Sequence, residues 1–450
     1  MKIDNNHREG LVYQRVSDTH SAVIDPGNVF WAIHKNNAGK YSVIPREALS
    51  LYNRVKNKLD AEMEDFRFSA QLTAVYIDPT DRCNSHCPYC YVPADIRKNG
   101  TQMTKEQLFK SLDKILEYFS ATGSKKKPVI IFHASEPLLA KDIVFAAIKE
   151  YSHKFKFGLQ TNATLLTEHD VAFLKAERVG VGISLDAATA VINNRTRPTT
   201  KGKGNFEQAV KAIEWFDGYP GLNVISTMTK FNIAGLSALV KFLHRKKVPC
   251  VLFNPMRLTQ KYSLSVKPDE SQMTTNFLKA VDTAIRLTRE SDHEIIVANF
   301  TNIILSIIAP EARRMMCDIS PCGGGRCFLT VTASGEMVPC GEFIALKGFS
   351  GGNILNGAGI KEAMVSKPFQ QIRSRFVEKI DECNSCSYRN ICGAPCPAEL
   401  EARGGMYQKA VFCEFYKATI DHAFRLIAEG KEKYCLRKDS LGELNYQYQL

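Results

Sequence analysis

Cys83, Cys87 and Cys90 stand in the run Asp81-Arg82-Cys83-Asn84-Ser85-His86-Cys87-Pro88-Tyr89-Cys90, a C-x3-C-x2-C triplet directly after an apolar segment. Three thiolates this close on one loop can hold three corners of an iron-sulfur cubane and leave the fourth iron without a protein ligand, which is a place for chemistry. A disulfide would strand the third cysteine, and zinc would prefer a fourth protein ligand or a water. A second constellation fills the C-terminal third. Cys322-x4-Cys327-x12-Cys340 is followed by Cys383-x2-Cys386-x5-Cys392-x3-Cys396-x16-Cys413, eight cysteines in all, with Gly335 five positions before Cys340. Eight is two full sets of four, and since C-x2-C knuckles also suit zinc, the count alone leaves two zinc sites open. Cys317 is a further candidate, as a ligand or a catalytic thiol. Cys250 opens an apolar strand and reads as core, and Cys435 reads as a free thiol in the tail.

The segments that must position these thiols alternate apolar strands with amphipathic helices from residue 73 to about 256, the pattern of parallel βα units. Strands are expected over 73–77, 129–133, 157–160, 179–185, 224–228 and 251–254, and six such strands suggest a partial (β/α)6 barrel. Thr104 with Gln107 makes a capping box, and Thr167 and Asn232 are expected caps. Each polar motif lies where a strand ends, and in such sheets ligands collect at the carboxyl ends of the strands. The chain divides into an N-terminal α+β appendage (1–70), the barrel (71–260), a bridging helical segment (261–310), the eight-cysteine domain (311–420) and a tail (421–450). Within the appendage, 23–24, 29–35 and 41–44 read as short strands with a turn at Asn36-Asn37-Ala38-Gly39, followed by a helix from Ile44-Pro45 to about Phe66.

With 450 residues, 44% hydrophobic and 24% charged, the chain can bury substantial cores. Its N-terminus is polar and no apolar run approaches the roughly 18 residues needed to span a bilayer, so neither export nor a membrane partner is expected. Fourteen cysteines in such a chain point to metal in a reducing, cytoplasmic setting rather than to disulfides. The formal charge of +12 counts every cysteine as neutral. One three-thiolate and two four-thiolate oxidised cubanes would contribute about −1, −2 and −2, leaving about +7. Lys125-Lys126-Lys127, the longest basic run, precedes a strand and reads as a solvated turn, so no nucleic-acid partner is expected; basic surface suits an acidic peptide equally well.

The triplet, with Tyr89 just before its last cysteine, resembles the cluster loop of the radical S-adenosylmethionine (SAM) superfamily. That resemblance implies a 4Fe-4S cluster whose open iron chelates SAM, cleavage of SAM to a 5'-deoxyadenosyl radical, and a reductant such as flavodoxin or ferredoxin. His133-Ala134-Ser135-Glu136-Pro137 stands where the family has Gly-Gly-Glu-Pro to receive the SAM amino group; both glycines are replaced and Glu136-Pro137 is kept. Gln160-Thr161-Asn162 resembles the family's Thr-Asn-Gly, and Ser184-Leu185-Asp186 its Ser-Leu-Asp. By this resemblance Tyr89, Ala134, Ser135, Glu136 and Ser184 contact the cofactor, and Asn162 lines the substrate side. Either Arg195 or Arg197, before Gly202-Lys203-Gly204-Asn205-Phe206, meets the SAM carboxylate.

The C-terminal spacing resembles the SPASM domain, the auxiliary-cluster module of radical SAM enzymes that modify peptides and proteins. The family wiring assigns Cys322, Cys327, Cys340 and Cys396 to one 4Fe-4S cluster and Cys383, Cys386, Cys392 and Cys413 to a second, three clusters in all. With no open auxiliary iron, those clusters would accept the electron released when a new bond closes. Some SPASM enzymes place a proton-accepting Asp directly after the last Cys of the first triplet; here Gly341 has that position, and Glu342 is the candidate to take over. The whole pattern is most similar to the peptide-modifying CbpB subgroup, through Cys317-Asp318-Ile319-Ser320-Pro321-Cys322-Gly323-Gly324-Gly325-Arg326-Cys327 and Phe412-Cys413-Glu414-Phe415-Tyr416. It implies oxidative modification of a ribosomally made precursor peptide, such as a side-chain crosslink, with the appendage as a leader-recognition element or a structural cap. A protein-modifying maturase of the sulfatase-maturing type is the neighbouring alternative. A non-enzymatic iron-sulfur or zinc scaffold would leave the strand-end residues without a job.

Overall fold

The computed structural model describes residues 10–36, 44–123, 126–313 and 316–437. The strand expected at 41–44, most of the turn before it and Lys125 lie outside the described residues, save Asn36 and Ile44. An antiparallel sheet of β1 (Val12–Arg15), β2 (His20–Ile24) and β3 (Trp31–Lys35) leads into α1 (Arg46–Phe68). The alternating units follow as β4 (Ala74–Ile77), α2 (Lys105–Ala121), β5 (Val129–Phe132), α3 (Lys141–Tyr151), β6 (Lys156–Thr161), α4 (Glu168–Ala176) and β7 (Gly180–Ser184). They continue with α5 (Phe206–Phe216), β8 (Leu222–Met228), α6 (Leu236–Arg245), β9 (Cys250–Pro255) and α7 (Glu270–Glu290). Then come β10 (Ile296–Val297), α8 (Ala298–Ile308), β11 (Phe328–Val331), β12 (Met337–Val338) and α9 (Cys413–Ala428); shorter helical turns stay unlabelled.

β4 to β9 pair parallel in chain order, so the six expected strands form, with ends shifted by one or two residues. In β8 the burial alternates strictly, with Leu222, Val224, Ser226 and Met228 buried, as a strand covered by helices on one face requires. The expected capping box is present on α2: Gln107 N donates to the Thr104 hydroxyl at 3.2 Å and Thr104 N to Gln107 Oε1 at 2.9 Å. Thr167 caps α4 in the same way, through Asp170. Asn232 does not cap: its side-chain oxygen accepts from Thr229, and its amide donates to the carbonyls of Asp186 and Thr227, tying the ends of β7 and β8 together.

The sheet continues past both ends of the barrel, in the order β10-β9-β8-β7-β6-β5-β4-β11-β12. β11 pairs parallel with β4, so the eight-cysteine region covers the edge beside the cysteine triplet. An exposed edge there would present unpaired backbone groups. The appendage is likewise built in. One face of its sheet packs on Ala48, Tyr52 and Leu59 of α1, while Ala22, Ile24, Trp31 and Ile33 join the main core. Trp31 Nε1 donates to the Ile307 carbonyl at 2.8 Å. Val29, expected in a strand, instead takes a left-handed φ of 59° in a turn closed by its N–H to Asp25 O, and β3 begins only at Trp31. Cys435 is a free thiol, as expected, but it is 4% exposed and packs in the core.

Candidate functional site

The chain leaves β4 and enters the cysteine loop, which is clamped on two sides. Cys83 N donates to Arg97 O at 2.9 Å, and buried Arg97 donates to Val92 O and Ser85 O. Opposite, His86 N reaches Pro198 O at 2.7 Å and Thr200 N reaches Asn84 O at 2.9 Å. The three thiols lie close enough for their charges to act on one another. Burial is the largest cause raising each pKa, with Cys90 pushed up to about 11, and Cys87 and Cys90 add to the rise at Cys83. Such thiols stay protonated until a metal claims them, and loading releases the protons. Among the described residues no three His, Cys, Asp or Glu side chains converge tightly enough for a single metal ion.

Against this loop stands a buried set formed by Tyr89, Asp186 and Arg197. Tyr89 Oη donates to Asp186 Oδ2 at 2.6 Å, Thr227 N donates to Asp186 Oδ1 at 3.0 Å, and Arg197 Nε lies 3.1 Å from Asp186 Oδ2. Burial works against the Arg197 charge, but Asp186, Tyr89 and Cys87 together raise its pKa. Its terminal nitrogens carry no hydrogen bond among the described residues. Arg195 is exposed and stacked 3.8 Å above the Phe231 ring.

At the end of β5, Ala134 and Ser135 adopt φ of 52° and 47°, the left-handed region that glycine enters most easily. Ser135 Oγ donates to Asp81 O at 2.6 Å. Glu136 is fully buried, and its carboxylate accepts from Thr161 Oγ1, Asn162 N and Leu138 N at 2.7, 2.7 and 3.1 Å. Burial pushes its pKa up to about 7 against those bonds. The carboxylate thus locks the ends of β5 and β6 together. Asn162 ties β6 to the cysteine loop through Asn84 Oδ1 and Ser85 Oγ, while Asn205 Nδ2 donates to the carbonyls of Asn162 and Ser184. The half-buried Ser184 hydroxyl makes no hydrogen bond among the described residues.

The C-terminal cysteines fall into two groups. Cys383, Cys386, Cys392 and Cys413 act on one another. In the other group the thiol of Cys340 feels Cys396, Cys317 and Cys322, and that of Cys317 feels Cys322 and Cys396. Cys327 feels only Cys322 among these thiols. Cys317 thus shares more of these interactions than Cys327, which directly precedes β11. Backbone N–H groups point at sulfur from Gly324 to Cys322 and from Glu342 to Cys340, both at 3.4 Å.

Near Cys90 and Cys340 lies a group of buried polar side chains that spacing alone did not reveal. A Cβ built on Gly341 would stand 3.4 Å from Tyr91 Oη and 3.7 Å from His133 Nδ1, and both of those atoms lack a partner. Glu342 Oε2 and both oxygens of Asp78 are also buried without partners. Burial raises Glu342 to about 7, with Arg257 opposing, and lowers His133 to about 4. Arg257 in turn pairs with buried Glu399 at 3.5 Å. Sequence reasoning missed roles for Tyr91, Asp78, Arg97, Asp186 and Arg257. The available signal was weak: Asp186 ends a buried strand with a charge, and Tyr91 adjoins a cysteine.

The Radical SAM superfamily profile matches residues 77–243, and the SPASM iron-sulfur cluster-binding domain matches residues 322–387. An uncharacterised protein of Archaeoglobus fulgidus is 40% identical over 417 residues, covering 92% of this chain and 94% of its own. The cysteine-type anaerobic sulfatase-maturating enzyme of Clostridium perfringens is 24% identical over 77% of this chain and 94% of its own. Streptococcus suis SuiB, solved bound to its precursor peptide SuiA, shares the fold with a TM-score of 0.60 at 15% identity, covering 90% of this chain and 99% of SuiB. With the clamped triplet, the strand-end residues and the two C-terminal cysteine groups, these likenesses make the chain a member of the radical SAM superfamily that carries a SPASM domain.

Proposed function

We propose that the protein oxidatively modifies a ribosomally made precursor peptide, with a side-chain crosslink as the product. The observation that carries this reading is the clamped, three-thiol loop facing Arg197, with the buried polar atoms of Tyr91, His133, Glu342 and Asp78 near it and Cys340. Bound there, a 4Fe-4S cluster with SAM supplies the 5'-deoxyadenosyl radical, and clusters in the two C-terminal groups supply an acceptor for the electron released on bond closure. Arg197 receives the SAM carboxylate and holds the cofactor in register. Ala134 and Ser135 bring the backbone close to the SAM amino group, Glu136 keeps those strand ends fixed, and Tyr89 and Ser184 complete the cofactor wall. Asn162 holds the cysteine loop on the substrate side. Glu342, buried near Tyr91 and with an unpartnered carboxylate oxygen, accepts the proton that the substrate loses. Residues 1–70 present an edge strand, β1, to which a leader segment can add.

The sulfatase-maturating relative favours a second reading, modification of a larger protein; it uses the same residues and differs in the polypeptide accepted. Cys317 joins Cys322, Cys340 and Cys396 as the fourth thiolate of the first auxiliary site in this proposal, replacing Cys327. Anaerobically reconstituted protein should hold about twelve irons. Replacing Cys83, Cys87 and Cys90 by Ala should remove about a third of them and end release of 5'-deoxyadenosine. Cys317→Ala should lose iron and Cys327→Ala should keep it. Full iron in the triple variant, or 5'-deoxyadenosine from it, refutes the first site; the reverse order of the two single variants restores Cys327. Mass spectrometry after co-expression with a short precursor decides the substrate, since an unmodified peptide beside a modified sulfatase-type protein would select the second reading.

A further inference from the structure

Arg375 is 1% exposed, and among the described residues no carboxylate pairs with it. Its Nε donates to Met406 O at 2.6 Å, and Nη2 donates to Ala394 O at 2.8 Å and Gln408 O at 3.4 Å. Carbonyls satisfy the donors but leave the charge uncancelled, and a buried, uncancelled charge is expensive. The nearby groups that become negative once a metal claims them are the thiols of Cys322, Cys396 and Cys383. Ala394, whose carbonyl Nη2 meets, stands between Cys392 of the second group and Cys396 of the first, so this one guanidinium lies against the segment that joins the two groups. Arg326 provides the contrast. It is equally buried, its Nε and Nη2 lack partners, and it acts on Cys322 and Cys327, on the first group's side alone.

We propose that Arg375 is a positioning residue for charge: the shared countercharge of the two auxiliary iron-sulfur sites, raising the reduction potential of both. This rests on reading the two cysteine groups as cluster ligands. Taking up one electron adds one negative charge to a site, and a nearby cation in a medium of low dielectric favours that form. Arg326 has the same effect on the first site only.

The test is a redox titration followed by electron paramagnetic resonance on anaerobically reconstituted, full-length protein carrying Cys83, Cys87 and Cys90 as Ala, so that only the auxiliary signals remain. Arg375→Gln should lower both midpoint potentials by at least tenfold in the one-electron equilibrium, about 59 mV. Arg375→Lys should restore both, and Arg326→Gln should lower one. Unmoved potentials in Arg375→Gln, or movement of a single signal, overturn the shared role. If Arg375→Gln fails to hold iron while Arg375→Lys holds it, the charge requirement stands; loss of iron from both reduces Arg375 to packing. Iron near four per chain in the otherwise unaltered protein would instead refute the three-cluster reading itself, before any potential is measured.

Discussion

Arg195 and Arg197 stand two positions apart, and the fold sends them to different surroundings. Sequence could nominate both but not choose, because which of two loop arginines turns inward depends on Asp186 and Tyr89, which arrive from other segments. Replacing Arg197 by Ala should weaken SAM binding by about 1.5–3 kcal/mol, roughly ten- to a hundredfold, the range for hydrogen bonds to charged groups. Arg195→Ala, which removes only an exposed stack on Phe231, should change it by no more than a few-fold. Equilibrium dialysis of labelled SAM against the reconstituted protein measures both, and the opposite ranking would move the carboxylate to Arg195. The Gly-Gly positions of the family were legible as Ala134 and Ser135, yet their left-handed backbone was not, because nothing in their side chains announces it. Glu136 was legible as a motif residue, while its three internal hydrogen bonds depend on where β6 ends.

Among the elements, α1 shows how an apparent appendage becomes part of the frame. Its Arg67 donates to Ser320 O at 2.6 Å and pairs with Glu378 at 3.0 and 2.9 Å, joining the N-terminal helix to the SPASM region. Arg67→Met should destabilise the protein by about 1–2 kcal/mol, since it leaves the buried Ser320 carbonyl without its donor, while Glu378, 37% exposed, can turn to water. Burial works against the Glu378 charge, but Arg67 and Asn390 outweigh it and lower the pKa. A depressed carboxyl pKa contributes stability above its unfolded value, about 4.3, and loses it as pH falls through the folded value. Thermal melts should therefore separate parent and variant most above about pH 5 and less below about pH 4. A gap that stays constant down to pH 3 would assign the effect to the Ser320 bond instead. The capping box of α2 was readable because all its atoms lie within one turn. Asn232 was misread as a cap because its partners, Thr229 and Asp186, are set by the loop after β8 and by β7.

At the scale of the molecule, the formal charge of +12 gives the chain a basic field even after cluster thiolates are subtracted. An acidic leader segment should bind more tightly than the same peptide with Glu replaced by Gln, and its affinity should fall several-fold as salt rises from about 0.05 to 0.5 M. Fluorescence anisotropy of the two labelled peptides on full-length protein checks this; equal, salt-independent affinities would exclude charge as the basis of leader recognition. Removing the N-terminal 66 residues is a poor test of leader binding, because it would strip Trp31 and Met63 from the main core.

The sequence alone determined the chemistry: the cysteine spacings, the six strands and the motifs at their ends are local patterns, fixed by neighbours a few residues apart. Tertiary structure decided everything that depends on distant partners. It paired β11 with β4 across the chain, buried Arg197 and exposed Arg195, and set Arg375 against the Ala394 carbonyl, between Cys392 and Cys396. The physical reason is that burial and electrostatic environment belong to the assembled core, whereas spacing records only which groups are available to enter it.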